Sequence, residues 1–325
     1  MVKLNHTNNG SDSMEKKYRL VTRSDFDGLV CAVLLKDLEL IDEILFVHPK
    51  DMQDGKIDIT NHDITTNLPY VEGVYLAFDH HLSEQIRVGK HDNHIIYPDA
   101  PSAARVVYDY YGGKERFTGI SLEMMEAVDK GDSAQFTEEE VLHPHDWVLL
   151  NFLMDARTGL GRFRQFRISN YSLMMDLIDY CKNHTIDEII QLPDVKERVD
   201  LYFEQEPLLK EQIKKNARVH GSLLVVDFRE DEVIHAGNRF LKYALFPECN
   251  ISIRIMWGFK KQNTVFAVGK SIFNRTSKTN IGELMLQYGG GGHAAAGTCQ
   301  VAHEASQRVL EELIERITAD EERIG

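Results

Sequence analysis

The 325-residue sequence predicts an α/β protein: a parallel-sheet N-terminal domain with a helical extension, a linker helix, and a smaller C-terminal α/β domain. Three observations predict it. In the N-terminal part, short apolar runs alternate with stretches of helical period, the βαβ pattern that folds into a parallel sheet. A long, charged, helical stretch follows from Pro193. Beyond Gly221 the pattern changes to closely spaced strands, with helices near the end. The expected boundaries are a disordered tail at 1–16, a first domain at 17–192, a linker helix at 193–219 and a second domain at 220–325.

Composition narrows the classes. Hydrophobic residues make up 43% of the chain, enough for a sizeable core, and no run approaches the ~20 apolar residues of a membrane span. The polar N-terminus lacks the apolar region of a signal peptide. Cys31, Cys181, Cys249 and Cys299 lie far apart without paired spacing, which reads as reduced thiols in a cytoplasmic protein. A formal net charge of −14 argues against non-specific duplex binding but leaves room for a local basic groove.

The tail contains almost nothing to bury. Residues 18–22 read as the first strand, and helical period begins at Gly28. Asp25 and Asp27 therefore occupy a strand-to-helix turn, where two carboxylates one residue apart can reach two different ions, and Gly28 lets backbone approach a ligand. Residues 45–47 are the second strand. Residues 57–61 are read as the third, with Asp63 ending it. Residues 74–78 form the fourth, which stops at Asp79, His80 and His81. Carboxylates and imidazoles at successive strand ends can hold divalent cations such as Mn²⁺. The plain alternative is that Asp and His end strands in turns. Recurrence at three strand ends weighs for metal.

Ser102 reads as an N-cap. The apolar helix 122–128 leads into Asp129 and Asp132, three apart and so on one helical face. Residues 157–167 hold four arginines (Arg157, Arg162, Arg164, Arg167) with Phe163 and Phe166 among them. Arginine forks bind phosphates and aromatics stack bases; a connecting loop whose arginines pair with surface acids is equally compatible. In the second domain, strands are read at 223–226, 251–257 and 264–268, helices at 280–288 and 309–317. Between them, Gly289 to Gly292 precede His293. Four glycines carry a large ordering entropy and make sense where backbone N–H groups meet an anion. Lys270, Ser271 and Arg275 lie just upstream.

Asp79-His80-His81 resembles the signature of the DHH phosphoesterases. Ser24-Asp25-Phe26-Asp27-Gly28 is similar to their first acidic motif, and Tyr288 to His293 to the glycine-rich motif of their associated C-terminal domain. The resemblance runs from about Tyr18 to Val301. It implies a cytoplasmic phosphoesterase that uses two Mn²⁺ ions, with Mg²⁺ as an alternative. Asp25, Asp27, Asp63 and His80 would hold the metals, Asp63 bridging them. A further Asp completes the set: Asp132 begins a stretch similar to the family's Asp-Thr-Gly-x-Phe form, while Asp129 matches the helix-end Asp of other members, and both stand. His81 would face the phosphate, and Asp79 would orient a histidine. Gly290, Gly291, Gly292, His293, Lys270, Ser271 and Arg275 would grip the part of the substrate that is not cleaved, with Arg162 and Arg164 as further phosphate contacts. Two departures are visible: Lys270 stands where many relatives have Arg, and residues 21–24 lack the His that many carry before the first Asp. The implied substrates are short oligonucleotides or nucleotide phosphates. Exopolyphosphatase activity and non-catalytic nucleotide or RNA binding remain alternatives. A homodimer is an open possibility, and no membrane partner is expected.

Overall fold

The computed structural model describes residues 16–322. Residues 1–15, where most of the expected tail falls, lie outside the described residues. The chain forms two compact units, Met1–Arg23 with Gly28–Ile120 and Ser24–Asp27 with Ser121–Gly325.

The first unit is built on five parallel strands: β1 (Tyr18–Arg23), β2 (Ile41–Val47), β3 (Asp63–Thr66), β4 (Leu76–Asp79) and β5 (His94–Ile96), in the order β2-β1-β3-β4-β5. Four helices accompany them: α1 (Phe26–Asp37), α2 (Pro49–Gln53), α3 (Leu82–Val88) and α4 (Ala103–Tyr110). Every residue of α1 from Leu29 to Leu35 is fully buried, as expected of a helix that is apolar all round. Ser102 caps α4, its Oγ accepting from the Arg105 N–H at 3.0 Å. The strand order reverses between β1 and β3. In doubly wound sheets, ligands bind beyond the C-terminal strand ends at that reversal.

The third strand is not where apolar alternation places it. Residues 57–60 form no strand, and β3 begins at Asp63 instead of ending there. Ile57 and Ile59 pack on core clusters from irregular backbone. The true strand, Asp-Ile-Thr-Thr, is buried along its whole length but reads as polar. The Thr66 hydroxyl is satisfied inside the sheet, Thr22 Oγ1 and Thr66 Oγ1 lying 2.6 Å apart, while Thr65 Oγ1 is buried with no hydrogen-bond partner among the described residues. Buried threonine is tolerated when so paired.

The second unit has a helical part: α5 (Leu122–Asp132), α6 (Glu138–Leu142), α7 (Asp146–Met154), α8 (Asn170–Asn183), α9 (Ile186–Gln191) and the long α10 (Pro193–Asn216). A six-stranded mixed sheet follows, made of β6 (Ala217–His220), β7 (Leu223–Asp227), β8 (Ile251–Trp257), β9 (Thr264–Lys270), β10 (Gly291–His293) and β11 (Ala296–Val301), in the order β10-β11-β9-β8-β7-β6. The short α11 (Leu241–Leu245), α12 (Ile281–Leu286) and the closing α13 (His303–Glu322) complete it. Leu223, Ile253, Phe266, Met285 and Leu313 belong to one core here. Among the described residues no helix is long and apolar enough to cross a membrane.

Candidate active site

In the first unit the chemistry sits at the end of β4. Asp79 is the last residue of the strand and 1% exposed. Its Oδ1 accepts from the backbone N–H of His80 at 2.8 Å and of His81 at 3.2 Å, and lies 2.7 Å from His81 Nδ1. The carboxylate therefore pins the turn that presents both imidazoles. A carboxylate can only accept, so His81 carries its proton on Nδ1 and its lone pair on Nε2. His80 Nδ1 lies 3.1 Å from the Ala100 carbonyl oxygen, which fixes the same tautomer. Nε2 is then the atom with which His80 can ligate a cation. One donor atom from each of Asp79, His80 and His81 falls within 4.8 Å of the others.

Asp63 is a correction. It opens β3, in register with Arg19 near the start of β1, and so lies at the sheet edge opposite to Asp79. Arg19 Nε donates to its Oδ1 at 2.6 Å, and Thr60 donates to Oδ2 through N at 2.6 Å and Oγ1 at 3.0 Å. Burial alone would raise its pKa, but Arg19 and Thr60 outweigh it and hold the carboxyl below its ordinary value. It latches the irregular segment before β3 to the sheet and is no bridging ligand.

The residue that does end β3 is Asn67, which sequence reading missed. Its backbone N–H donates to the Phe78 carbonyl at 3.1 Å. It is 4% exposed, has a φ of +52°, and its Nδ2 is buried without a hydrogen-bond partner among the described residues. Asn tolerates the left-handed region better than most residues, and strain of this kind clusters at functional sites. The signal was present as Asn67-Leu68-Pro69, a turn directly after a β-branched pair.

In the second unit, Asp25, Asp27, Asp132 and Asp155 line one small cavity together with Arg157 and Arg239. Asp27 is 3% exposed. Of the two helix-end candidates, Asp132, the last residue of α5, lines this cavity, and Asp129 is not among its lining residues. Asp155 was not foreseen, because the reading of this segment stopped at its arginines. It accepts from Arg157 through N at 2.9 Å and Nε at 2.7 Å, and its Oδ2 lies 3.7 Å from Arg239 Nε. Burial would raise its pKa, yet Arg157 and Arg239 hold it below the usual carboxylate range. Burial likewise opposes the charge on Arg157, but Asp155, then Asp25 and Asp132, raise its pKa. Carboxylates in such number are hard oxygen donors suited to Mn²⁺ or Mg²⁺.

The arginine segment divides. Arg157 and Arg162 line a second, larger cavity. Arg164 and Arg167 border a surface groove with Phe163 and Phe166. The Arg167 N–H donates to Glu197, and its guanidinium is 3.6 Å from Asp194. The rings are partly covered: Arg162 lies over Phe163 at 4.8 Å, and the buried Arg198 over Phe166 at 4.1 Å.

The glycines after α12 form one strand of a hairpin, with Gly291 opposite Thr298 and His293 opposite Ala296. A Cβ on Gly290 would stand 2.1 Å from the Thr298 carbonyl oxygen, and one on Gly292 2.2 Å from that of Ala296. Strand approach requires these two glycines. At Gly291 a Cβ would meet nothing within 4 Å, and His293 is exposed. Close packing also explains Gly28, where a Cβ would be 1.9 Å from the Arg23 carbonyl oxygen, so its small size serves the turn and not a ligand. Lys270 Nζ donates to the Ser277 carbonyl at 3.2 Å, Ser271 Oγ accepts from the N–H groups of Phe273 and Asn274, and Arg275 donates to the carbonyls of Ile272 and Ala134. All three hold the turn after β9.

No protein-family model matches the chain, and no curated protein matches it. Among solved structures it is similar to the pGpG-specific phosphodiesterase PggH from Vibrio cholerae, at 66% identity over 94% of this chain and 100% of that chain, with a TM-score of 0.85. More distant likenesses are RecJ from Thermus thermophilus in complex with Mn²⁺ (14% identity, 94% of this chain, 52% of that chain, TM-score 0.49) and CDC45 from Entamoeba histolytica (9%, 94%, 96%, 0.48). Two thirds of the residues are shared with PggH over its whole length, and Asp79-His80-His81 closes a strand of the parallel sheet: the chain belongs to the DHH family of phosphoesterases.

Proposed function

We propose that the chain is a divalent-metal-dependent phosphodiesterase whose substrate is a 5′-phosphorylated dinucleotide of the pGpG kind. The observation that carries this is the cavity in which Asp25, Asp27, Asp132 and Asp155 face Arg157 and Arg239. Its carboxylates suit cations, and its guanidiniums suit phosphate oxygens. The identity with PggH, named for pGpG, narrows the substrate.

Asp25, Asp27 and Asp132 would hold a divalent cation, and in the first unit the Nε2 lone pair of His80 would suit it to ligate one. Divalent cations so bound polarise phosphoryl oxygens and lower the pKa of a bound water. Asp155 keeps Arg157 oriented on the cavity wall, where the guanidinium meets the phosphate. Asp79 holds His81 with Nε2 turned outward, placed to exchange a proton or a hydrogen bond with the phosphate or the leaving oxygen. Gly291 and His293, on the exposed β10, are proposed contacts to the nucleotide that is not attacked. Four buried cysteines and a nucleotide substrate fit a cytoplasmic setting.

The test is a substrate panel with Mn²⁺ or Mg²⁺: pGpG, pApA, a 3′,5′-bisphosphorylated nucleoside, a cyclic dinucleotide and polyphosphate. Metal-dependent turnover of pGpG above the others is expected. Turnover of polyphosphate in preference to every nucleotide, or none without regard to metal, overturns the reading.

A further inference from the structure

The larger of the two cavities that share Arg157 and Arg239 has no assigned role. It measures ≈ 160 Å³, and its wall carries Arg157, Arg162, Arg239, Lys242, Arg254 and His235 over a floor of apolar side chains such as Ile213, Val226 and Phe228. No carboxylate lines it among the described residues. In a protein with a formal net charge of −14, this concentration of cations calls for an explanation.

Arg162, Lys242 and Arg254 are held in a way that orients them without neutralising them. Arg254 lies over the Phe228 ring at 5.1 Å, Arg239 over Phe240 at 4.4 Å, Lys242 over Tyr243 at 4.5 Å and Arg162 over Phe163 at 4.8 Å. A ring face attracts a cation but accepts no conventional hydrogen bond in the plane of the guanidinium. The Nε atoms of Arg239 and Arg254 are buried with no hydrogen-bond partner among the described residues. A buried donor left unmatched is costly, and a low-dielectric floor strengthens any charge interaction made above it. Asp155 belongs to the acidic cavity and is already shared between Arg157 and Arg239, whose charges Asp132 of the same cavity also favours. Burial, followed by the charges of Arg254 and Arg239, brings the Lys242 pKa down to about 7, as expected where like charges crowd without an anion.

Arg157 and Arg239 line both cavities. An anion in the larger one is therefore separated from the carboxylate site by a wall of two guanidiniums. We propose that this cavity seats the terminal 5′-phosphomonoester of the dinucleotide, so that the enzyme recognises its substrate by the span between cleaved and terminal phosphates. The proposal rests on the phosphodiesterase reading above. It explains how an enzyme of this kind can require a terminal phosphate: a dianion meets Arg162, Lys242 and Arg254, which no lining carboxylate compensates, whereas the same dinucleotide ending in a hydroxyl leaves them unmatched.

The experiment compares kcat/KM for pGpG and for GpG, which lacks the 5′-phosphate, in wild type and in Arg254→Gln. Hydrogen bonds to charged groups contribute ~1.5–3 kcal/mol, so wild type should favour pGpG by about tenfold to a hundredfold, and R254Q should pull that ratio toward one. Calorimetry with inorganic phosphate should show binding to wild type and at least about tenfold weaker binding to R254Q. Equal hydrolysis of pGpG and GpG by wild type overturns the anchor and leaves the phosphodiesterase reading standing. Turnover of neither overturns both. The wild-type comparison decides even if R254Q fails to fold.

Discussion

Two cavities of one unit share Arg157 and Arg239, carry opposite charge, and handle it differently. In the acidic cavity, charge is answered within the wall: Asp155 faces two arginines, and Asp25 and Asp132 help to raise the Arg157 pKa. In the cationic cavity, Arg254, Lys242 and Arg162 lie on aromatic faces, and no lining carboxylate answers them. The difference teaches which charges the protein itself compensates. A side chain paired with fixed protein groups, as Asp155 is with Arg157, is held in place by them. One that is oriented but uncompensated is prepared for something from solvent.

The sharpest way to test this is to remove charge from the acidic cavity. Asp132→Asn keeps volume and fold but weakens cation binding. Metal stabilisation of a developing phosphoryl charge is worth several kcal/mol, so kcat should fall by about three orders of magnitude. Inorganic phosphate binding at the cationic cavity, followed by calorimetry, should survive. Loss of both would show that the two cavities are one.

Asp63→Asn is the converse, a buried carboxylate with fixed partners. Removing its charge strands Arg19 and weakens the bonds from Thr60, at a cost of about 2–3 kcal/mol in stability. The folded variant should retain near-normal turnover. Because the folded pKa is lowered, the stabilisation is present above the ordinary value of 3.8 and is lost as pH falls through the folded pKa. Wild type should therefore lose more stability than the variant between pH 5 and pH 2, measured by urea unfolding. A loss of kcat by orders of magnitude in folded D63N would restore it as a ligand.

These two aspartates also show what was legible in the sequence. Asp79 was readable because a continuous apolar run stops at it. Asp63 was misread because Ile57-Asp58-Ile59 alternates like a strand while the real strand, with two buried threonines, does not look apolar. The error moved the carboxylate to the wrong sheet edge and hid Asn67, which ends the strand. Asp129 and Asp132 could not be separated by spacing, since where α5 ends and which way it faces depend on packing. The cationic cavity was visible only in part: Arg157 and Arg162 are in the arginine segment, but Arg239, Lys242 and Arg254 come from distant elements with no local motif. Strands β7, β8 and β9 and the closing helix of the second unit followed from hydrophobic period, because each has one face on a common core, whereas β6, β10 and β11 were not read.

A third prediction probes the uncompensated charge through pH. The Lys242 pKa is lowered to about 7, so folding disfavours its charged form. The unfolded chain binds more protons than the folded one between pH 7 and the ordinary 10.5, and this contribution to stability rises with pH across that window. Sulfate, a dianion throughout, should favour the charged form and raise Tm more at pH 6 than at pH 9. Sulfate strengthens burial in any protein, and His235 also faces the cavity, so the readout is the difference between wild type and Lys242→Met. In K242M the extra protection at pH 6 should shrink by several degrees. An identical sulfate response in both would mean that Lys242 meets no anion.

The smallest effects are expected in the surface groove. Arg167 is held by Glu197 and Asp194, and exposed ion pairs contribute about 0–1 kcal/mol, so Arg164→Ala with Arg167→Ala should change kcat/KM for pGpG by less than about threefold. The phenylalanines decide whether the groove receives a base. Phe166 already stacks with the buried Arg198, whose Nε bonds Asn170 and whose NH2 group donates to the Ile168 carbonyl. Its truncation should lower Tm and leave KM in place. Phe163 lies under Arg162, itself a wall of the cationic cavity, and should respond differently. If its ring serves to aim Arg162, Phe163→Ala should weaken pGpG more than GpG. If it stacks a base, the loss should fall on both equally, at about tenfold to a hundredfold. The first outcome joins Phe163 to the terminal-phosphate cavity. The second makes the groove a nucleobase site and confines the anchor to the residues beyond it.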